Sequence, residues 1–166
     1  NLPYDICRVS GLLLRMNAVI SIRAYIDSGM EDSGINIEVV NTLRAPSDGA
    51  WHNLAKKLLD YLNGRDNAHL IKLLIETLSK SIESEFIKET NERAHLKNVW
   101  RNARKDVHSN LGSLVTYRNK VIHGERLGEA DHIHALSRLF SILRAFDFYS
   151  DYNVIVRHNG NWLDCD

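Results

Sequence analysis

The sequence predicts an all-α protein, an up-and-down bundle of four to five main helices, and it allows a short β-hairpin at the C-terminus. Three observations lead there. Apolar residues recur at helical spacing over long stretches. Only two prolines and nine glycines occur in 166 residues, so little interrupts those stretches. Hydrophobic residues make up 44% and charged residues 25%, which suits a globular chain with one core.

The elements follow in order. Ile6, Val9, Leu12, Leu13, Met16, Val19, Ile20 and Ile26 give a helix from Asp5 to about Ser28. Ser28-Gly29 and Asp32-Ser33-Gly34 then break the chain. Ile35 to Arg44 is ambiguous, because Ile35, Ile37 and Val39 alternate as in a strand while a short helix fits equally well. Ala45 to Gly49 forms a turn, with Ser47 or Asp48 placed to cap a helix carrying Trp51, Leu54, Leu58 and Leu62. Asn63-Gly64 ends it.

A second long helix is expected from His69 to about Asn91, with Leu70, Leu74, Leu78, Ile82 and Phe86 on its stripe. Leu96 to Ser109 is a polar helical candidate, and Leu111 to Ile122 continues in helical spacing. Gly124 and Gly128 interrupt before a last helix from Ala130 to Tyr149. Asn159-Gly160 between apolar segments carries the hairpin signal. Residues 1–150 therefore read as the bundle, and residues 151–166 as the start of a hairpin or a linker into a further region. Asn1 in place of Met fits a piece of a longer protein.

Several function classes find no support in these residues. Net charge is zero, so the whole molecule is not a polycation for nucleic acid or membranes. The longest uncharged apolar run, around Met16 to Ile22, is short for a bilayer span, and a cytoplasmic chain without membrane partners is expected. Cys7 and Cys165 form no metal-binding pair, and no phosphate-binding glycine loop occurs. Asp131-His132-Ile133-His134 sets two histidines on nearly opposite sides of a helix, so no metal and no cofactor is expected. His52, His69, His95 and His108 have no partners in sequence and are assigned no role.

The informative segment runs from Thr116 to Glu125. Arg118 lies seven residues after Leu111 and four before Ile122, on the apolar stripe itself. A guanidinium there needs a carboxylate, a carbonyl, a phosphate or a wet interface. His123 shares a face with Asn119, and on an unbroken helix it sits about 140° from Arg118. Gly124 ends the helix, and a turn there can bring the imidazole back towards the arginine. Arginine, amide and imidazole suit cleavage of RNA without metal. Imidazole is a general acid or base, and guanidinium binds phosphate and charge growing on it. Asn119 would orient the imidazole, touch phosphate or close a helix-to-loop hydrogen bond; Tyr117 would stack on a base, line the pocket or, as its type favours, pack in the core; and Glu125 would pair with Arg118, tune the imidazole or face solvent. Lys97, Arg101, Arg104 and Lys105 form a basic stripe, with Lys120 near the motif, that can guide an RNA backbone or simply face solvent. Trp100 within that stripe is a stacking platform or, as the packing preference of indole favours, a core residue.

Arg118-Asn119-x3-His123-Gly124 resembles the R-x4–6-H motif of the HEPN superfamily, and its place before one last long helix fits. The resemblance implies a face-to-face homodimer whose two motifs line a shared cleft, and metal-independent endoribonuclease activity in a toxin or antiviral setting. It equally implies non-catalytic members that dimerise or sense a ligand. A looser resemblance of Leu2-Pro3-Tyr4 and Pro46 to Trp51 is to N-terminal domains of bacterial defence or signalling proteins, which implies a fused downstream domain or a partner protein.

Overall fold

The computed structural model describes residues 1–65, 69–82, 100 and 106–151, together with the backbone of 154–158 and 161–165. Among these residues the chain forms α1 (Leu2–Asp27), α2 (Ser33–Arg44), α3 (Asp48–Leu62), α4 (His69–Ser79), α5 (Val107–Ile122) and α6 (Glu129–Ala145). A 3-10 turn (Asp147–Asp151) follows, then strands β1 (Val154–His158) and β2 (Asn161–Cys165). The strands pair antiparallel, with His158 opposite Asn161 and Val154 opposite Cys165. Asn159-Gly160, on which the hairpin signal rests, lie outside the described residues.

The fold is an all-α bundle built around α1, which packs against α3, α4, α5 and α6. Its inner face carries Ile6, Leu13, Leu14, Ala18 and Tyr25 with small or polar residues between them. The buried hydroxyls of Ser10 and Ser21 donate to carbonyls one turn back, Ile6 O and Asn17 O, so their burial costs little. Buried Asn17 accepts from Tyr149 Oη at 2.6 Å, which fixes the turn after α6 to the first helix.

The apolar residues of α1 do not all face inward. Leu12, Val19 and Ile26 are 58%, 56% and 62% exposed, so the helix has a second apolar side turned away from the core. By length and composition α1 also suffices to cross a membrane, contrary to the expectation from its short uncharged run, although 44% of its most apolar window is buried in the bundle.

The ambiguous segment is helical, as α2. Asp32 accepts from the Ile35 amide at 2.9 Å, capping its N-terminus. Only Ile35 and Thr42 are buried along α2, a seven-residue spacing that belongs to a helix and not to a strand. Tyr25 Oη accepts from the Asp32 amide and donates to Asn36 Oδ1, holding the turn into α2.

Three boundaries differ from the sequence reading. The helix expected to run from His69 to Asn91 stops at Ser79. There Lys80 N bonds back to Thr77 O, Val107 N donates to Lys80 O, and Ser81 bridges Asp106. The stripe position Phe86 lies outside the described residues. The polar helix expected through Ser109 is broken at Asp106, whose extended backbone caps α5 instead. The last helix ends at Ala145, after which Phe146 stacks on Tyr149 of the 3-10 turn and Phe148 packs tilted against both.

The Asp106 cap is a testable element of this frame. Its carboxylate accepts from the amide and hydroxyl of Ser109 at 2.8 and 3.0 Å. Burial works to raise its pKa, but the bonds from Ser109 and its own amide outweigh burial and the net shift is downward. Replacing Asp106 with alanine should cost about 1 kcal/mol in urea unfolding, with the helix content retained.

Candidate functional site

The motif helix α5 closes with a defined geometry. Glu125 N donates to Lys120 O at 3.0 Å and Gly124 N donates to Val121 O at 3.2 Å, the paired bonds of a Schellman ending. Gly124 supplies the required left-handed backbone, with φ 70°. Lys120 Nζ pairs with Glu125 Oε2 at 2.6 Å across the same turn. His123 is thereby held at the C-cap, exposed to solvent. Among the described residues no hydrogen bond to its imidazole is found.

Arg118 lies one turn earlier and points to α1 and α3. Its Nε is 3.3 Å from Asp48 Oδ2, and its Nη1 donates to Asn119 Oδ1 at 3.2 Å. Asp48 is buried in the first turn of α3, where the helix dipole favours a carboxylate. Its other oxygen, Oδ1, faces Arg15 Nη2 from α1 at 3.8 Å. Gly11 makes room for this carboxylate. A Cβ built on Gly11 would stand 3.1 and 3.3 Å from the two Asp48 oxygens.

These residues line an open groove of about 500 Å³. Arg8, Arg15 and Arg118 supply three positive charges to it, and Asp48 supplies one negative charge. Cys7, Val9, Leu12 and Ile122 form its apolar walls. The Arg118 side chain keeps 31% of its surface exposed, so the ion pair with Asp48 orients it without sealing it. Ile122 is the last wall residue, and His123 follows it just outside the groove.

The RiboL-PSP-HEPN family model matches residues 8–148. The chain belongs to this HEPN family. No curated protein and no solved structure gives a significant match to it. The matched span contains the groove residues from Arg8 to Ile122 and the whole of the Arg118–His123 segment.

Within the HEPN domain, the sequence-predicted site residues are treated unequally. Arg118 and Asn119 are brought together, and Glu125 pairs with Lys120 and not with Arg118. The helix end does not swing His123 into the same cavity as Arg118. The Schellman bonds end the helix at His123, which is exposed and is not among the groove residues. Tyr117 packs in the core, the alternative its type favours, and not against a base. It is 0% exposed, packs against Trp100, and its Oη bonds to His132 Nδ1 at 2.8 Å. Burial raises its pKa, so it stays a neutral phenol. Trp100 is likewise a core residue. Lys97, Arg101, Arg104 and Lys105 lie outside the described residues.

His132 and His134 serve separate contacts in the HEPN bundle. His134 is buried and its Nε2 accepts from Arg138 Nε at 2.9 Å. Arg138 also donates to Asn110 Oδ1 and to the Trp100 carbonyl, joining α6 to α5 behind the motif. Cys7 borders the groove, but burial raises its thiol to about 11 against the pull of Arg118, so it is a poor nucleophile at neutral pH. Asp48 and Arg15 are the site residues that sequence reasoning missed. Asp48 read as a cap candidate, and only the unexplained Gly11 inside an apolar helix hinted at a close approach there.

Proposed function

We propose that this HEPN domain is a metal-independent endoribonuclease that acts as a homodimer. The observation that carries the reading is Arg118, oriented by Asp48 yet open to a positively charged groove, with an unengaged imidazole at the adjoining helix end. An arginine held by its Nε edge still offers Nη donors to a phosphate. His123 then acts as general acid or base on the 2′-hydroxyl or the leaving oxygen, Arg118 stabilises charge on the phosphate, and Asn119 steadies the Arg118 fork.

The dimer supplies what one chain lacks. Arg118 faces its groove while His123 stands outside it, so a cleft shared by two motif segments completes the site. Exposed Leu12 and Ile122 wall the groove, and Val19 and Ile26 extend that apolar side along α1. Burying this surface against a second copy is favourable and sets the two grooves near one another. A toxin or antiviral role, and a fused or partner protein that controls it, follow from the same family reading.

The second reading is a non-catalytic dimerising or ligand-sensing module. The Arg118–Asp48 pair favours it, because an internal carboxylate already holds the arginine. Incubation with single-stranded RNA in excess chelator separates the two. The nuclease reading expects cleavage to persist and to leave 2′,3′-cyclic phosphate or 3′-phosphate ends. A stable dimer with intact RNA under all conditions would establish the module instead.

A further inference from the structure

Arg15 has no role in the motif, yet the fold places it on the same carboxylate as Arg118. Asp48 presents Oδ2 to Arg118 Nε at 3.3 Å and Oδ1 to Arg15 Nη2 at 3.8 Å. One buried anion therefore yokes two guanidiniums from different helices side by side on the groove wall. Its seat is built for this, since the absence of a side chain at Gly11 lets the carboxylate sit against α1. The Arg15 side chain is 59% exposed, so it is turned to the groove mouth and not consumed by the pair. Arg8 lies seven residues earlier on α1, hence on the same side and roughly 10 Å along the axis. Arg8 stands 3.8 Å from Asp5 but keeps 82% of its side chain exposed, so the groove still carries more cation than Asp48 and Asp5 neutralise, with Arg8 and Arg15 in a line along α1.

We infer that Arg15 binds the RNA backbone, taking the phosphate next to the one held by Arg118, with Arg8 continuing the track. For its choice of ligand this rests on the ribonuclease reading. Asp48 is then a positioning residue. It holds both cations side by side and offsets one of their charges.

The test is RNA binding, measured by anisotropy of a short fluorescein-labelled single-stranded RNA across a salt series. For the binding series every protein carries His123→Ala so that the probe survives. Adding Arg15→Ala should weaken binding about tenfold and flatten the plot of log Kd against log salt by about 0.7, one lost phosphate contact. Arg15→Lys should restore the slope while recovering only part of the affinity. Arg23→Ala, which removes an exposed arginine paired with Asp27 on the same helix, should change neither. Asp48→Asn should leave binding no weaker in the His123→Ala background and should reduce turnover in the His123-intact chain. Parent-like binding by Arg15→Ala, or weaker binding with an unchanged slope, overturns the assignment, as does a parent chain that binds no RNA. Arg15-dependent binding without cleavage by the wild-type chain keeps the assignment and rejects the nuclease reading. Cleavage that is indifferent to Arg15 does the reverse.

Discussion

Replacing His123 with alanine is expected to lower RNA cleavage by about 10²- to 10⁴-fold, the range removed with a general acid or base. The same change should leave thermal unfolding almost where it was. His123 is exposed at the C-cap, and the bonds that end α5 are made by backbone groups of residues 119 to 125. A separation of activity from stability is therefore the signature sought. Gel analysis of RNA cleavage beside a thermal melt measures both. If the alanine variant cleaves at the wild-type rate, the imidazole has no part in the chemistry. If it melts many degrees lower, loss of activity says nothing about catalysis.

Acid should unfold the bundle early, and histidines outside the motif should be responsible. His52 of α3 stacks on His108 of α5 with ring centroids 4.1 Å apart. Burial, then His108, then Lys56 lower His52 to about 4. His108 is lowered too, by burial and Lys56, against the opposing pull of Asp106 and Asp60. Burial and then Arg138 bring His134 to about 4, while Asp131 pulls the other way. That agrees with its bond, since Nε2 must be unprotonated to accept from Arg138.

The sign follows from linkage. The folded chain holds these imidazoles neutral, and the unfolded chain protonates them near 6.5. Their contribution is complete above pH 6.5 and is lost as pH falls towards 4. For His52 and His134 the loss is on the order of 3 kcal/mol each. Together that is comparable to the whole stability of a small domain. Urea midpoints should fall steeply between pH 6.5 and 4.5, and His52→Gln should flatten the fall. A midpoint that is level across this range would mean the imidazoles are solvated in the native state.

Much of the bundle was legible because periodicity reports burial. Trp51, Leu54, Leu58 and Leu62 give α3, and Ser47 caps it by accepting from the Ala50 amide at 3.1 Å. Periodicity failed where burial was sparse. In α2 the alternation of Ile35, Ile37 and Val39 imitates a strand, and Ile37 is in fact 62% exposed. It also failed on α1, where apolar residues on two sides read as one stripe. The site was legible only as a motif. Arg118 on an apolar face announces that it needs a partner, but nothing local names Asp48, seventy residues earlier, or Arg15 on a third helix. The His52–His108 stack is of the same kind, since neither residue has a neighbour in sequence that marks it.

The bond from Tyr149 to Asn17 has a consequence for how the chain is made. Within this domain α1 is made before the helices that cover it, α3, α4, α5 and α6. Its buried polar group at residue 17 waits for a phenol from residue 149. The chain from residue 17 to residue 149 must therefore emerge before α1 is fully wrapped, and the arginine pair on Asp48 cannot form until residue 118 arrives. Until then the nascent domain carries α1 as an incompletely sheathed apolar rod, and the groove beside Asp48 is unassembled.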